Sequence, residues 1–348
     1  MEEFVTLLKT LISTPSLSKE EDRAAEVIRD FLRVRGVPFQ TRGNNTWCLN
    51  RHFASGKPVI LLNSHIDTVR PVPGWSADPF TPVVEGEKIT GLGSNDAGAS
   101  VVSLLAVFLH FYERSNLSFN LAYSATAEEE ISGDNGVSSL LSELPPLAFA
   151  LVGEPTRMEM AIAEKGLLVL DCTARGKAGH AARDTGDNAL YKALDDIQKL
   201  RNLRFEKISG LLGPSKVTVT QIQAGTQHNV VPDQCTFVAD VRTNEHYSNQ
   251  EVYELLRELI NSEVVARSFR LNSSGIPADH PVVLKARHEG ILLTGSPTTS
   301  DQAVIPCPSV KMGPGNSERS HTADEYILVS EIREGIQTYI RLFEDLSL

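Results

Sequence analysis

Cysteine is scarce in this chain, and its four copies are scattered. Cys48, Cys172, Cys235 and Cys307 form no CxxC pair. That spacing excludes a disulfide framework and fits a reducing cytoplasm, where lone thiols serve as packing residues. Positive charge is also in deficit: 33 Lys+Arg stand against 44 Asp+Glu, a net charge of −11. Without a basic stripe, neither nucleic acid nor an anionic membrane surface is expected as a partner. Long apolar runs are missing too. The longest, "VVSLLAVFLHFY" at 101–112, falls short of the roughly 20 residues that span a bilayer. The opening "MEEFVTLLKTLIS" is acidic and amphipathic, so no signal peptide is expected. Internal repeats and low-complexity tracts are absent.

What remains is an ordinary globular composition, 41% hydrophobic and 22% charged, in a chain of 348 residues. That length accommodates two domains. Residues 2–13 and 19–36 carry helical periodicity, the second ending at Gly36. "TWCLN", "PVILLNSHID", "FNLAYSAT" and "LAFALVG" read as strands, with a long apolar helix beginning at Gly98 between the second and third. Strands alternating with helices predict a mostly parallel sheet flanked by helices, an α/β fold. After about residue 165 the order becomes β-α-β-β-α-β, the ferredoxin-like α+β arrangement. The α/β pattern returns near residue 281. The expectation is a discontinuous domain, 1–164 and 281–348, interrupted by an inserted domain at 165–280.

Polar residues cluster where these strands end. "LLNSHIDTV" places His65 and Asp67 two residues apart, on one face of a strand. Asp67 is therefore expected to accept the ring N–H of His65 while the other nitrogen binds a metal. A histidine satisfied by its neighbours gives the same pattern. Asp96, in "GLGSNDAGAS", suits a helix N-cap or a metal-bridging carboxylate, and the local sequence does not separate the two. "ATAEEE" and "ALVGEPT" place Glu128, Glu129, Glu130 and Glu154 at carboxyl ends of strands, where open α/β sheets locate their ligands. His321 lies in a polar, Gly-rich loop before the last helix.

The succession HxDTV, GxGSxDxG, TAEEE, GEPT and a late loop histidine resembles the dinuclear zinc amidohydrolases. That family includes acetylornithine deacetylase, succinyl-diaminopimelate desuccinylase and glutamate carboxypeptidases. The likeness covers essentially the whole chain and implies a zinc-exopeptidase-like fold. Leu92 stands where the family loop often has Arg, and Glu128-Glu129-Glu130 replaces its DEE; neither change removes a proposed ligand. The resemblance implies two Zn2+ ions, with Co2+ or Mn2+ as substitutes. His65 and Glu154 would hold one ion, Glu130 and His321 the other, and Asp96 would bridge them. Glu129 would be the general base and Glu128 not a ligand. His180, in "GKAGHAARDTGDNAL", would donate to the oxyanion, and Asn229 and Arg242 would contact substrate. A structural salt bridge is the other common fate of a strand arginine. Asp301, in "TTSDQAV", would support a ligand.

The resemblance further implies an amide hydrolase acting on an N-acyl amino acid, as a homodimer joined through the inserted domain. N-acetylornithine, in arginine biosynthesis, is the leading expectation. N-succinyl-ornithine or -diaminopimelate and then dipeptides follow, with a non-catalytic metal-binding relative last. A succinyl group brings an extra carboxylate, for which Lys165, Lys177 and Arg183 are the candidate cations.

Overall fold

The computed structural model describes residues 1–183 and 185–348. They form two compact units, one of residues 1–162, 275–294 and 300–348, the other of 163–274 and 295–299. The chain thus enters the second unit two residues earlier than the 165 expected from sequence, and returns through 295–299 after leaving it.

The first unit is built on a mixed, largely parallel sheet. Its strands lie in the order Gln40–Arg42, Asn45–Leu49, Asn120–Thr126, Val59–His65, Leu147–Val152, Ser309–Lys311 and Met160–Glu164. The three central pairings, 59–65 with 120–126 and with 147–152, and 147–152 with 309–311, are parallel. Alternation along these strands divides the core in two. Ile60, Leu62, Leu121, Tyr123, Phe149 and Leu151 join one cluster. Val59, Leu61, Ala122, Ala150 and Val152 join the other. A side-chain period of two with apolar residues at every step requires cover on both faces.

The helices Glu2–Ile12, Asp22–Val34, Ala99–Tyr112 and Val329–Phe343 bury their apolar residues in the first cluster. The Ala99–Tyr112 helix is apolar nearly all round and has twelve of its fourteen residues buried, as expected of a core helix. The turn before it, Ser94–Gly98, is kinked, with non-helical backbone at Asp96 and Ala97, and extends the stretch back to Ser94. By length and composition this stretch passes as a membrane span, but 78% of its window is buried inside the protein.

The second unit carries a four-stranded antiparallel sheet, ordered Lys216–Ala224, Gln234–Thr243, Gly166–Arg175 and Glu263–Ala266. The helices Ala189–Asn202 and Asn249–Leu259 pack against it. With the strands numbered along the chain, this is the 4-1-3-2 order of a ferredoxin-like fold. Asn188 caps the first helix, and Ser248 with Glu251 forms a capping box on the second.

Asp196 ties the first of these helices to the segment that leads into the last strand. Its buried carboxylate accepts the amide N–H groups of Asn261 and Ser262, the Ser262 hydroxyl at 2.8 Å and the Lys199 ammonium at 3.1 Å. Burial favours the neutral acid, but these donors prevail and hold its pKa below the ordinary value. A lowered folded-state pKa gives stability present above the unfolded value of about 3.9 and lost as pH falls through the folded one. Asp196→Ala is expected to cost about 1–3 kcal/mol at pH 7. The penalty should shrink as pH drops below about 4, as read by urea unfolding across pH.

Candidate metal centre

Three segments at the carboxyl edge of the parallel sheet, the Asp96 loop before the Ala99–Tyr112 helix and a loop near the end of the chain supply the polar cluster. His65 ends the Val59–His65 strand and is 1% exposed. Its Nε2 lies 3.3 Å from Asp96 Oδ1, 3.7 Å from Glu154 Oε1 and 3.9 Å from Glu129 Oε2. His321 Nε2 lies 3.0 Å from Glu130 Oε2 and 3.7 Å from Asp96 Oδ2. The two imidazoles thus address different oxygens of Asp96, the arrangement a bridging carboxylate requires. His65 with Asp96 and Glu130, and His65 with Glu129 and Glu154, each bring three ligand atoms within 4.8 Å of one another.

The donor set fits a metal. Ligand atoms bonded at about 2.0–2.2 Å in a tetrahedral site lie about 3.3–3.6 Å apart, close to the distances from His65 Nε2. The charges point the same way. Burial pushes Glu129 well above the ordinary carboxylate pKa; His65 opposes this, while Glu154, Asp301 and Glu130 reinforce it. Glu154 is pushed up to about 8, by burial first and then by Asp96, against the pull of His65 and Lys311. His321 rises to about 9, chiefly through its hydrogen bond to Glu130. Burial favours a neutral His65, yet Asp67, Asp96 and the two glutamates raise it well above 6.5. Without metal, protons therefore supply the balancing charge; a dication would take their place.

One expectation is corrected. The Nδ1–H of His65 donates to the backbone carbonyl of Asp67 at 2.9 Å, and the Asp67 carboxylate stands 3.5 Å away. The strand ends at His65, so the same-face rule no longer governs Asp67. Its buried carboxylate instead accepts the Ser18 hydroxyl at 2.7 Å and the amides of Glu129 and Glu130 at 3.0 and 3.1 Å. Glu21, also buried, accepts the Glu128 amide at 3.2 Å and the Asn44 amide group at 2.8 Å. The backbone of the three-glutamate run is thus held by two other acids. Glu128 points away from the cluster: its carboxylate accepts from the backbone and side chain of Asn135.

Glu21, and Glu325, which accepts the amides of Gly93, Asn95 and Asp96, escaped the sequence reading because an acceptor of backbone N–H groups leaves no periodic trace; Ser18, a lone hydroxyl donor to Asp67, leaves none either. Asp301 is buried and accepts from Asn63 at 2.8 Å and Thr126 at 3.2 Å. Burial sets its pKa at about 6. It acts on the cluster through its charge on Glu129.

His180, Asn229 and Arg242 belong to the other unit. His180 is exposed in a short ladder opposite Val230, and its Nδ1 accepts the Ala182 amide at 3.1 Å. That fixes the proton of the neutral ring on Nε2, leaving a donor there. Asn229 is exposed, and its carbonyl accepts from Ala181. Arg242 makes a two-point bond to Asp240, at 2.8 and 3.0 Å, with Nη1 3.4 Å from Thr299 Oγ1.

A buried imidazole amid carboxylates, at the carboxyl edge of a parallel sheet, defines a metal-dependent hydrolase centre. The sequence model of Peptidase family M20/M25/M40 matches residues 61–345, and the chain belongs to that family of amide hydrolases. It is 26% identical to a succinyl-diaminopimelate desuccinylase of Wolbachia pipientis, covering 98% of this chain and 92% of that one. A probable carboxypeptidase of Aspergillus oryzae is 27% identical, over 98% and 87%. Among solved structures, a dinuclear metal-binding M20 peptidase of Bacillus subtilis superposes with a TM-score of 0.74 at 19% identity, over 98% of this chain and 97% of that one.

Metal must displace the protons held by these groups, so its affinity for the metal-free protein should rise with pH. The rise is expected to run through the values of Glu154 and His321, about 8 and about 9. Calorimetric titration with Zn2+ in buffers of different ionisation enthalpy should show proton release at pH 7.

Proposed function

We propose that the chain hydrolyses the amide of a small N-acyl amino acid at a two-zinc centre. His65, Asp96 and Glu154 would hold one ion and Asp96, Glu130 and His321 the other, with Co2+ or Mn2+ as alternatives. A bound dication lowers the pKa of its water toward about 7 and polarises a carbonyl oxygen. Glu129 would take the proton of the attacking water and pass it to the departing amine. What supports this role is its environment: a largely buried carboxylate, Oε2 3.9 Å from His65 Nε2, which burial and the neighbouring acids push toward the proton-bound form. His180, with its donor on Nε2, would stabilise the oxyanion, and Asn229 and Arg242 would bind the substrate ends.

For the acyl group, N-succinyl is the first candidate and N-acetylornithine the second. The observation that carries this order is a group of cations in the 163–274 unit. Lys216 is paired across the sheet with Arg242, and both depress the pKa of the part-buried Lys165, after burial itself. Like charges gathered in this way suit a carboxylate, which succinate has and acetate lacks. The full-length similarity to the Wolbachia desuccinylase favours the same order. Peptide hydrolysis is the third reading, on the similarity to the Aspergillus carboxypeptidase.

A homodimer through this unit is proposed on its nine-residue edge strand, Lys216–Ala224, most of whose residues are exposed. A cytoplasmic location is proposed on the four free cysteines. Light scattering at micromolar protein is expected to report a mass of two chains; a single-chain mass rejects the dimer.

The function is tested with zinc-loaded protein on N-succinyl- and N-acetyl-ornithine, -lysine and -diaminopimelate and on dipeptides. The expected preference is for the N-succinyl compounds; cleavage of dipeptides alone would reject deacylation. In the same assay Glu129→Gln should retain both metals and lose at least about 10²-fold in turnover. Loss of a metal in that variant would instead make Glu129 a ligand beside His65 and Glu154.

A further inference from the structure

Glu325 is 2% exposed, and its carboxylate is spent on one short loop. Oε1 accepts the amide N–H groups of Asn95 at 2.8 Å and Asp96 at 2.9 Å, and Oε2 accepts that of Gly93 at 3.2 Å. The backbone on either side is joined as well. The Gly91 amide donates to the Glu325 carbonyl at 2.9 Å. Strand Tyr326–Leu328 then pairs antiparallel with Lys88–Thr90. From the other direction, the Asn95 side chain bonds the Asn316 amide and carbonyl, at 2.9 and 3.1 Å. The loop itself has little freedom. Gly93 sits at φ +74°, and a Cβ there would lie 2.7 Å from Thr68 Cγ2.

A buried acid placed beside Asp96 adds repulsion to a cluster already crowded with carboxylates. Packing alone gives no reason for a charge here. Its three N–H donors do, and they belong to the residue that faces both imidazoles and to two that precede it.

We infer that Glu325 is the positioning residue for Asp96, holding its backbone so that one carboxylate reaches the sites of both metals. This rests on the reading that Asp96 is a metal ligand. Glu325 follows His321 by four residues, so a single short segment carries one proposed ligand and anchors another. Binding at the two positions is thereby coupled through the protein backbone.

The test uses the full-length, metal-free protein titrated with Co2+, whose visible absorption reports the ligand set. Affinity is measured by competition with a chromophoric chelator. Hydrogen–deuterium exchange reads the 93–96 amides, and circular dichroism verifies folding. Glu325→Ala is expected to weaken Co2+ binding about 10–100-fold, alter the visible spectrum and speed exchange at 93–96 in the metal-free protein. Glu325→Gln keeps one oxygen for the Asn95 and Asp96 amides but loses the acceptor for Gly93, so its affinity should fall between the two.

Wild-type affinity and spectrum in a folded Glu325→Ala protein would overturn the inference. If that variant does not fold, the same result in Glu325→Gln overturns it. Asp96→Ala serves as the control. If it loses Co2+ affinity while the Glu325 variants do not, only the role of Glu325 fails. If it binds Co2+ as the wild type does, Asp96 is not a ligand, and both readings fail together.

Discussion

The organising constraint in this protein is the repulsion among buried carboxylates. Asp96, Glu129, Glu130 and Glu154 converge on two histidines, with Asp301 and Glu325 close behind them. In a low-dielectric setting such a group cannot keep all its charges without a counter-cation. The raised values of Glu129, Glu154, His321 and Glu325 are the response of the metal-free chain. The site therefore stores in protonation what a metal would otherwise supply. An affinity for dications follows from the same electrostatics.

Placing these acids takes other acids. Asp67 and Glu21 accept the backbone N–H groups of the three-glutamate run, and Glu325 accepts those of the Asp96 loop. Loops at a sheet edge leave amides without ladder partners. A buried carboxylate can gather two or three of them at once, which lowers its own cost of burial. The acids facing the centre and those bonded to the backbone behind it thus solve one problem from two sides, negative charge inward and amide protons outward.

Much of the fold was legible because burial follows simple periods. Residues 59–62 of "PVILLNSHID" alternate between two apolar clusters, and the β-α-β-β-α-β order of the middle third is observed in its four-stranded sheet and two helices. His65, Glu130 and Glu154 were legible as polar residues placed where apolar strands stop, whereas Asp96 and His321, each in a Gly-rich loop, stood out only through the family resemblance. Less visible was anything set by backbone hydrogen bonding. Asp67 sits two residues beyond His65, but the strand ends between them, and its carboxylate turns to the amides of Glu129 and Glu130. Arg242 has the local partner common for a strand arginine, Asp240. Glu21 and Glu325 gave no signal, since neither periodicity nor spacing marks an acid whose partners are main-chain donors far away along the chain.

The interrupted layout of the first unit has a consequence for how the protein is made. Strand Ser309–Lys311 completes the parallel sheet beside Leu147–Val152, some 160 residues upstream and across the entire inserted unit. His321 and Glu325 come later still. On the ribosome, His65, Asp96, Glu130 and Glu154 emerge long before either can arrive, so the proposed metal position that needs His321 stays incomplete until the chain is nearly finished. Completion of that proposed position would thereby fall in the last steps of synthesis, after the insert has had time to fold by itself.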